Sequence, residues 1–94
     1  MPEIILTEGY RKKAIAFFKD HPQLIPIYKK TLYLLQSNPF HPSLRLHNLK
    51  GSLGSFKTVS IDMRYRVLID FIIHENQIIL LDIGDHNKIY GGEY

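Results

Sequence analysis

Hydrophobic positions follow two different periods in this chain. Up to Ser37 they recur at helical spacing: Tyr10, Ala14, Phe17 and Phe18 in one segment, then Leu24, Tyr28, Thr31, Leu32 and Leu35 in the next. From Phe56 onward they alternate. Val59, Ile61 and Met63 are interleaved with Thr58, Ser60 and Asp62. Tyr65, Val67, Ile69, Phe71 and Ile73 are interleaved with Arg64, Arg66, Leu68, Asp70 and Ile72, and a largely apolar run follows from Ile78 to Ile83. Period two with β-branched and aromatic residues predicts three consecutive strands.

Punctuation sets the bounds. The apolar run Glu3 to Thr7 predicts a first strand, and Thr7 is a candidate N-cap for the first helix. His21-Pro22 ends that helix, because proline disfavours helical geometry in the residue before it. The second helix runs roughly from Leu24 to Ser37, with Pro26 tolerable only in its first turn. Asn38-Pro39 closes it. The short connection predicts two antiparallel helices packed on one face of the sheet. Pro39 to Gly54 has no clean period and reads as a loop with short turns.

Register follows from burial. Val59 and Ile61 should share a face with Tyr65 and Val67, since a slip of one residue turns one apolar set to water. The turn Asp62-Met63-Arg64 satisfies this by pairing Ile61 with Tyr65 and Ser60 with Arg66. In the second hairpin, a His74-Glu75-Asn76 turn with Asn76 left-handed pairs Ile73 with Gln77. That register sets Phe71 beside Ile79, Ile69 beside Leu81, Val67 beside Ile83 and Arg66 beside Gly84. It also keeps Asp70 from facing Asp82.

Composition narrows the class. The chain has 94 residues, 45% of them hydrophobic, which fits one domain over 1–94, near the lower size limit for a self-sufficient core. It has no cysteine, so neither a disulfide frame nor a thiolate metal site is expected. His41, His47 and His86 lack metal-ligand spacing, and the reading includes no metal and no cofactor. No apolar run approaches the roughly 18 residues that span a bilayer. The N-terminus lacks a signal-peptide pattern, so a cytoplasmic protein with no membrane partner is expected.

Charge adds a site. The net charge of +3 is modest. Between His41 and Val67, however, Arg45, Lys50, Lys57, Arg64 and Arg66 stand against Asp62 alone. The pattern fits either a local anion site or a solvated surface. Arg11, Lys12, Lys13 and Lys19 read as the wet face of the first helix. The register brings Ser60, Arg66, Gly84 and His86 together, with the His41–Lys50 loop nearby, and the glycine is expected to leave room for a ligand. Arginine and lysine bind phosphate, and histidine moves protons near neutral pH. Tyr90 can stack on a base. These groups suit RNA cleavage without a metal, although His86 also fits a plain turn histidine. His21 and His74 read as surface residues.

The same residues carry a family resemblance. The helical hairpin ending in Asn38-Pro39, the segments LRLHNLKG (44–51) and SIDMRYRVLI (60–69), and the terminal LLDIGDHNKIY (80–90) together resemble the RelE/ParE superfamily of type II toxin–antitoxin toxins. The resemblance covers nearly the whole chain and looks closest to the RelE, YoeB, HigB and YafQ branches. It implies an α+β fold in which an N-terminal helical hairpin packs on a twisted, mostly antiparallel sheet of about four strands. It implies an endoribonuclease that cuts mRNA, often on the ribosome, and a cognate antitoxin as partner. It assigns Arg66 to the scissile phosphate, and assigns His86, His47 and Tyr90 to catalytic positions. Arg45, Lys50, Lys57, Ser60 and Arg64 are the expected RNA- and phosphate-binding residues. The chain departs from the family at the base: Ser43 stands where YoeB-like toxins carry a glutamate, and Ser60 where YafQ-like toxins carry a histidine. Two other readings remain open, a ParE-like toxin that binds DNA gyrase without catalysis, and a member that binds only its antitoxin.

Overall fold

A computed structural model describes residues 1–49 and 56–91. Strand β1 (Glu3–Leu6) leads into helix α1 (Glu8–Asp20), and a 3₁₀ turn (Pro22–Leu24) leads into helix α2 (Ile25–Ser37). Then come a short strand β2 (His47–Asn48), strands β3 (Phe56–Ser60), β4 (Tyr65–Ile72) and β5 (Gln77–Asp85), and a terminal helix α3 (His86–Gly91). The sheet has five strands in the order β1-β5-β4-β3-β2. β1 pairs with β5 in parallel, and the other pairings are antiparallel.

The helices begin and end where the local chemistry dictates. Thr7 caps α1, its Oγ1 accepting the Tyr10 N–H at 3.1 Å. Pro26 sits in the first turn of α2, where its missing N–H removes no hydrogen bond. Tyr10 of α1 and Leu35 of α2 are buried against Val59, Val67, Ile69, Phe71, Ile78, Leu80 and Ile83 of the sheet. The odd-numbered residues of β3 and β4 therefore form the helix face, as the alternation predicts. Phe17, Phe18 and Tyr28 pack round that core. His21 joins them, its ring 4.6 Å from Phe17 and 4.8 Å from Tyr65, so it is half-buried rather than a surface residue. His74 is exposed, as expected. No helix among the described residues is long and apolar enough to cross a membrane.

The first hairpin has the expected register: Ser60 lies opposite Arg66, and the Ile61 N–H donates to the Tyr65 carbonyl at 2.9 Å. Asp62 closes the turn by accepting the Arg64 and Tyr65 N–H groups. The second hairpin differs from expectation near its turn. Ile73–Glu75 forms a 3₁₀ turn, with Asn76 left-handed (φ 54°), and Ile72 rather than Ile73 pairs with Gln77. Phe71 then faces Ile78, and Ile69 faces Leu80. An irregularity between Leu68 and Ile69 leaves Leu81 as an extra residue, and beyond it Val67 faces Ile83 and Arg66 faces Gly84, as the pattern requires. The cause lies on the far side of β5, where Ile4 and Leu6 of β1 pair with Ile78 and Leu80 and share the helix-face core. The sheet also has one strand more than the four expected. β2 arises within the stretch read as loop, where His47 pairs with Thr58 and Asn48 with Lys57.

Candidate functional site

On the reverse face of the sheet the even-numbered residues of β3 and β4 meet α3. Leu68, Leu49 and Ile89 form a second, smaller core there, with Phe56, Leu81 and Tyr90 at its margin. Among the described residues this patch covers only part of the face. Beside it an open cleft of about 380 Å³ is lined by His47, Asn48, Arg66, His86 and Tyr90.

Each element supplies a part. β2 brings His47 to the sheet edge in register with Thr58. β4 supplies Arg66, whose guanidinium Nη1 is buried and has no hydrogen-bond partner among the described residues. α3 supplies two aromatic rings one helical turn apart. His86 and Tyr90 stack with centroids 4.2 Å apart and planes 28° from parallel. The Tyr90 hydroxyl lies 2.9 Å from Oγ1 of the fully buried Thr58, which fixes the ring against β3. The structure thus brings together all four residues expected in catalytic positions.

The expected phosphate binders fare differently. Arg45 is exposed, left-handed at φ 49°, at the end of a 3₁₀ turn (Pro42–Leu44) and outside the cleft lining. Arg64 sits in the β3–β4 turn with its guanidinium 5.5 Å from the Tyr65 ring, on the helix side of the sheet. Lys57 alternates away from Thr58, and its ammonium donates to Asn48 Oδ1. Ser60 is buried, and its hydroxyl donates to the Asp62 carbonyl at 2.5 Å, so it belongs to the turn. Lys50 lies outside the described residues. The space over Gly84, expected to admit a ligand, holds the side chain of Lys88 instead.

Three contributors escaped the sequence reading. Asn48 lines the cleft, and only the unforeseen β2 places it there. Thr58 looks, in the sequence, like one more polar position in an alternating strand. Asp82, with a side chain only 6% exposed, lies within ion-pair range of Lys13 and Lys88, and it was hidden inside an apolar run. The perturbed titrations lie on the other face. Burial raises the Tyr10 hydroxyl far above its ordinary pKa, reinforced by Tyr28, and burial also raises Tyr28.

Neither a protein-family model nor a curated protein matches the sequence. Solved structures do match. A metal-bound toxin from Helicobacter pylori superposes with a TM-score of 0.78 at 22% identity, over 95% of this chain and 99% of that one. The fold is that of the RelE/ParE toxins. A chain of the Escherichia coli DinJ–YafQ toxin–antitoxin complex matches with a TM-score of 0.77 at 15% identity, over 96% of this chain and 98% of that one. A YoeB/ParE toxin from Agrobacterium tumefaciens gives 0.72 at 11% identity, over 89% and 98%. At these identities the RelE/ParE likeness lies in the backbone, so the chemistry must be argued from this chain's own cleft.

Proposed function

We propose that this protein is the toxin of a type II toxin–antitoxin pair and acts as a metal-independent endoribonuclease on ribosome-bound mRNA. The observation that carries the reading is the buried, unpartnered Nη1 of Arg66 in a cleft shared with two histidines and a tyrosine. A buried donor without an acceptor is destabilising, and a phosphate oxygen supplies that acceptor together with the countercharge. The fold shared with YafQ and YoeB/ParE toxins supports the toxin role, and the DinJ–YafQ complex supports a cognate antitoxin as partner.

The chemistry follows from the placement. The ribose 2′-oxygen forms a bond to phosphorus as the bond from phosphorus to the 5′-oxygen breaks, leaving a 2′,3′-cyclic phosphate and a free 5′-hydroxyl. Arg66 stabilises the charge that builds on the non-bridging oxygens. His47, across the cleft on β2, accepts the 2′-hydroxyl proton. His86 donates a proton to the departing 5′-oxygen. Tyr90, tied to Thr58, holds the His86 ring by stacking.

Single-turnover cleavage of mRNA on ribosomes tests this. Arg66→Ala should lower the rate by about a hundredfold to a thousandfold. Arg66→Lys keeps the charge but loses the planar fork, and should recover only part. His86→Gln should lose roughly a hundredfold and one limb of the pH profile. Wild-type rates in these variants would overturn the assignment, and growth arrest with intact mRNA and accumulated gyrase–DNA adducts would select the gyrase reading.

A further inference from the structure

We infer that Lys88 is a positioning residue for this site: its side chain, laid across Gly84 and anchored at Asp82, holds α3 so that His86 and Tyr90 stay beside Arg66. The inference rests on the ribonuclease reading above.

α3 spans only His86–Gly91, far too short to be a stable helix by itself. Its geometry is therefore set by what ties it down. Ile89 is fully buried, and the Asp85 carboxylate accepts the Lys88 N–H at 2.8 Å. The Lys88 ammonium then reaches back along β5, donating to the Ile83 carbonyl at 3.2 Å and lying 3.5 Å from Asp82 Oδ1. A nearly buried carboxylate strongly favours a nearby cation, and Lys13 approaches the same oxygen at 3.9 Å from α1. Lys88 is thus bound at both ends, by its backbone to Asp85 and by its tip to Ile83 and Asp82.

Gly84 is the second, independent mark of this arrangement. Its φ lies outside the left-handed region, so its backbone would accept a side chain. Space would not: a Cβ there would sit 2.6 Å from Lys88 Cδ and 3.3 Å from its Cβ and Cγ. The glycine is needed for the close approach of the lysine stem, on the strand position opposite Arg66. Lys88 does not line the cleft, so it acts through the residues on either side of it.

The test uses the full chain, with cleavage kinetics and an NMR readout of the His86–Tyr90 ring stack. Lys88→Met keeps the stem and removes the charge. It should lower kcat by roughly tenfold to a hundredfold with KM nearly unchanged. The ring-to-ring contacts should weaken, and the melting temperature should fall but leave the chain folded at the assay temperature, because Lys13 still faces Asp82. Lys88→Arg should restore most of the rate. Gly84→Ala should reproduce the defect by displacing the stem, and combining it with Lys88→Met should add little further loss. Lys12→Met, on the exposed face of α1, serves as the unaffected control. A wild-type kcat with an intact ring stack in Lys88→Met would overturn the inference, as would additive losses in the double variant. Should Lys88→Met unfold, Gly84→Ala carries the same two readouts. If the wild type cuts no mRNA, the ribonuclease reading fails and the ring stack alone decides the role of Lys88. If His86→Gln is inactive while Lys88→Met is normal, only the inference fails.

Discussion

The helix face of the sheet and its reverse face are covered differently. On the helix face α1 and α2 seal a continuous apolar layer, from Tyr10 and Leu35 to Val59, Ile69 and Ile83, nearly all of it closed to solvent. On the reverse face, among the described residues, one short helix covers one patch, Leu49, Leu68 and Ile89, and leaves the cleft beside it. The first face supplies stability through burial. The second places polar groups at the border between dry and wet, where Arg66 is desolvated on one side and reachable on the other. A fully covered face could not admit RNA, and a bare one would leave the guanidinium screened by water.

Substitutions on the two faces should therefore fail in different ways. The largest stability effect belongs to the helix face. Leu35→Ala should destabilise by about 2–5 kcal/mol, read by urea unfolding, with normal cleavage per folded molecule. Ile89→Ala should reverse the pattern. α3 can lift locally without unfolding the sheet, so global stability should fall by less than in Leu35→Ala while cleavage falls by about tenfold or more. Equal stability losses, or an unchanged rate in Ile89→Ala, would mean that the faces are not separable.

The smallest effect sharpens the same contrast. Tyr10 and Tyr28 share a 2.8 Å hydrogen bond between their hydroxyls, and Tyr28→Phe should cost about 1 kcal/mol with no effect on cleavage. Burial raises both hydroxyls in the folded state. Their contribution is thus fully present below about pH 10, where tyrosine ionises in the unfolded chain. It is lost as pH rises further, because the unfolded state then binds fewer protons than the folded one. Unfolding measured from pH 9 to 11 should show this decline in the wild type and a shallower one in Tyr10→Phe.

The sequence revealed most where polarity alternates. Thr58 to Ser60 and Tyr65 to Phe71 carry a clear period, so their faces and the first register could be read directly, whereas the expected pairing of Arg66 with Gly84 came by way of an Ile73–Gln77 register that β5 does not keep near the turn. Within Ile78 to Ile83 the apolar residues carry almost no period. Alternation was silent about the register near the second turn, and the partner that settles it, β1, is distant in sequence. The two-residue β2 is likewise too short for any period to show. Register and residue type together pointed to Arg66 and His86, and residue type to Tyr90, because arginine, histidine and tyrosine bear recognisable chemistry; His47 came from the family resemblance. Arg45, Lys57 and Arg64 lie outside the cleft lining, since the direction of a charged side chain depends on strand parity and turn geometry.

The extra residue in β5 governs how this hairpin can vary. Near the Ile73–Glu75 turn the two strands are one residue out of step with the spacing that holds at Arg66, and Leu81 takes up the difference. The hairpin behaves like a slip joint. A one-residue change at its exposed tip should be absorbed at this surplus residue, which a register measurement on such a variant would check. Arg66 then still faces Gly84, and α3 still leaves the sheet at the same point. Length changes at the tip, whether inherited or engineered, are thereby decoupled from the end of the sheet that holds the cleft.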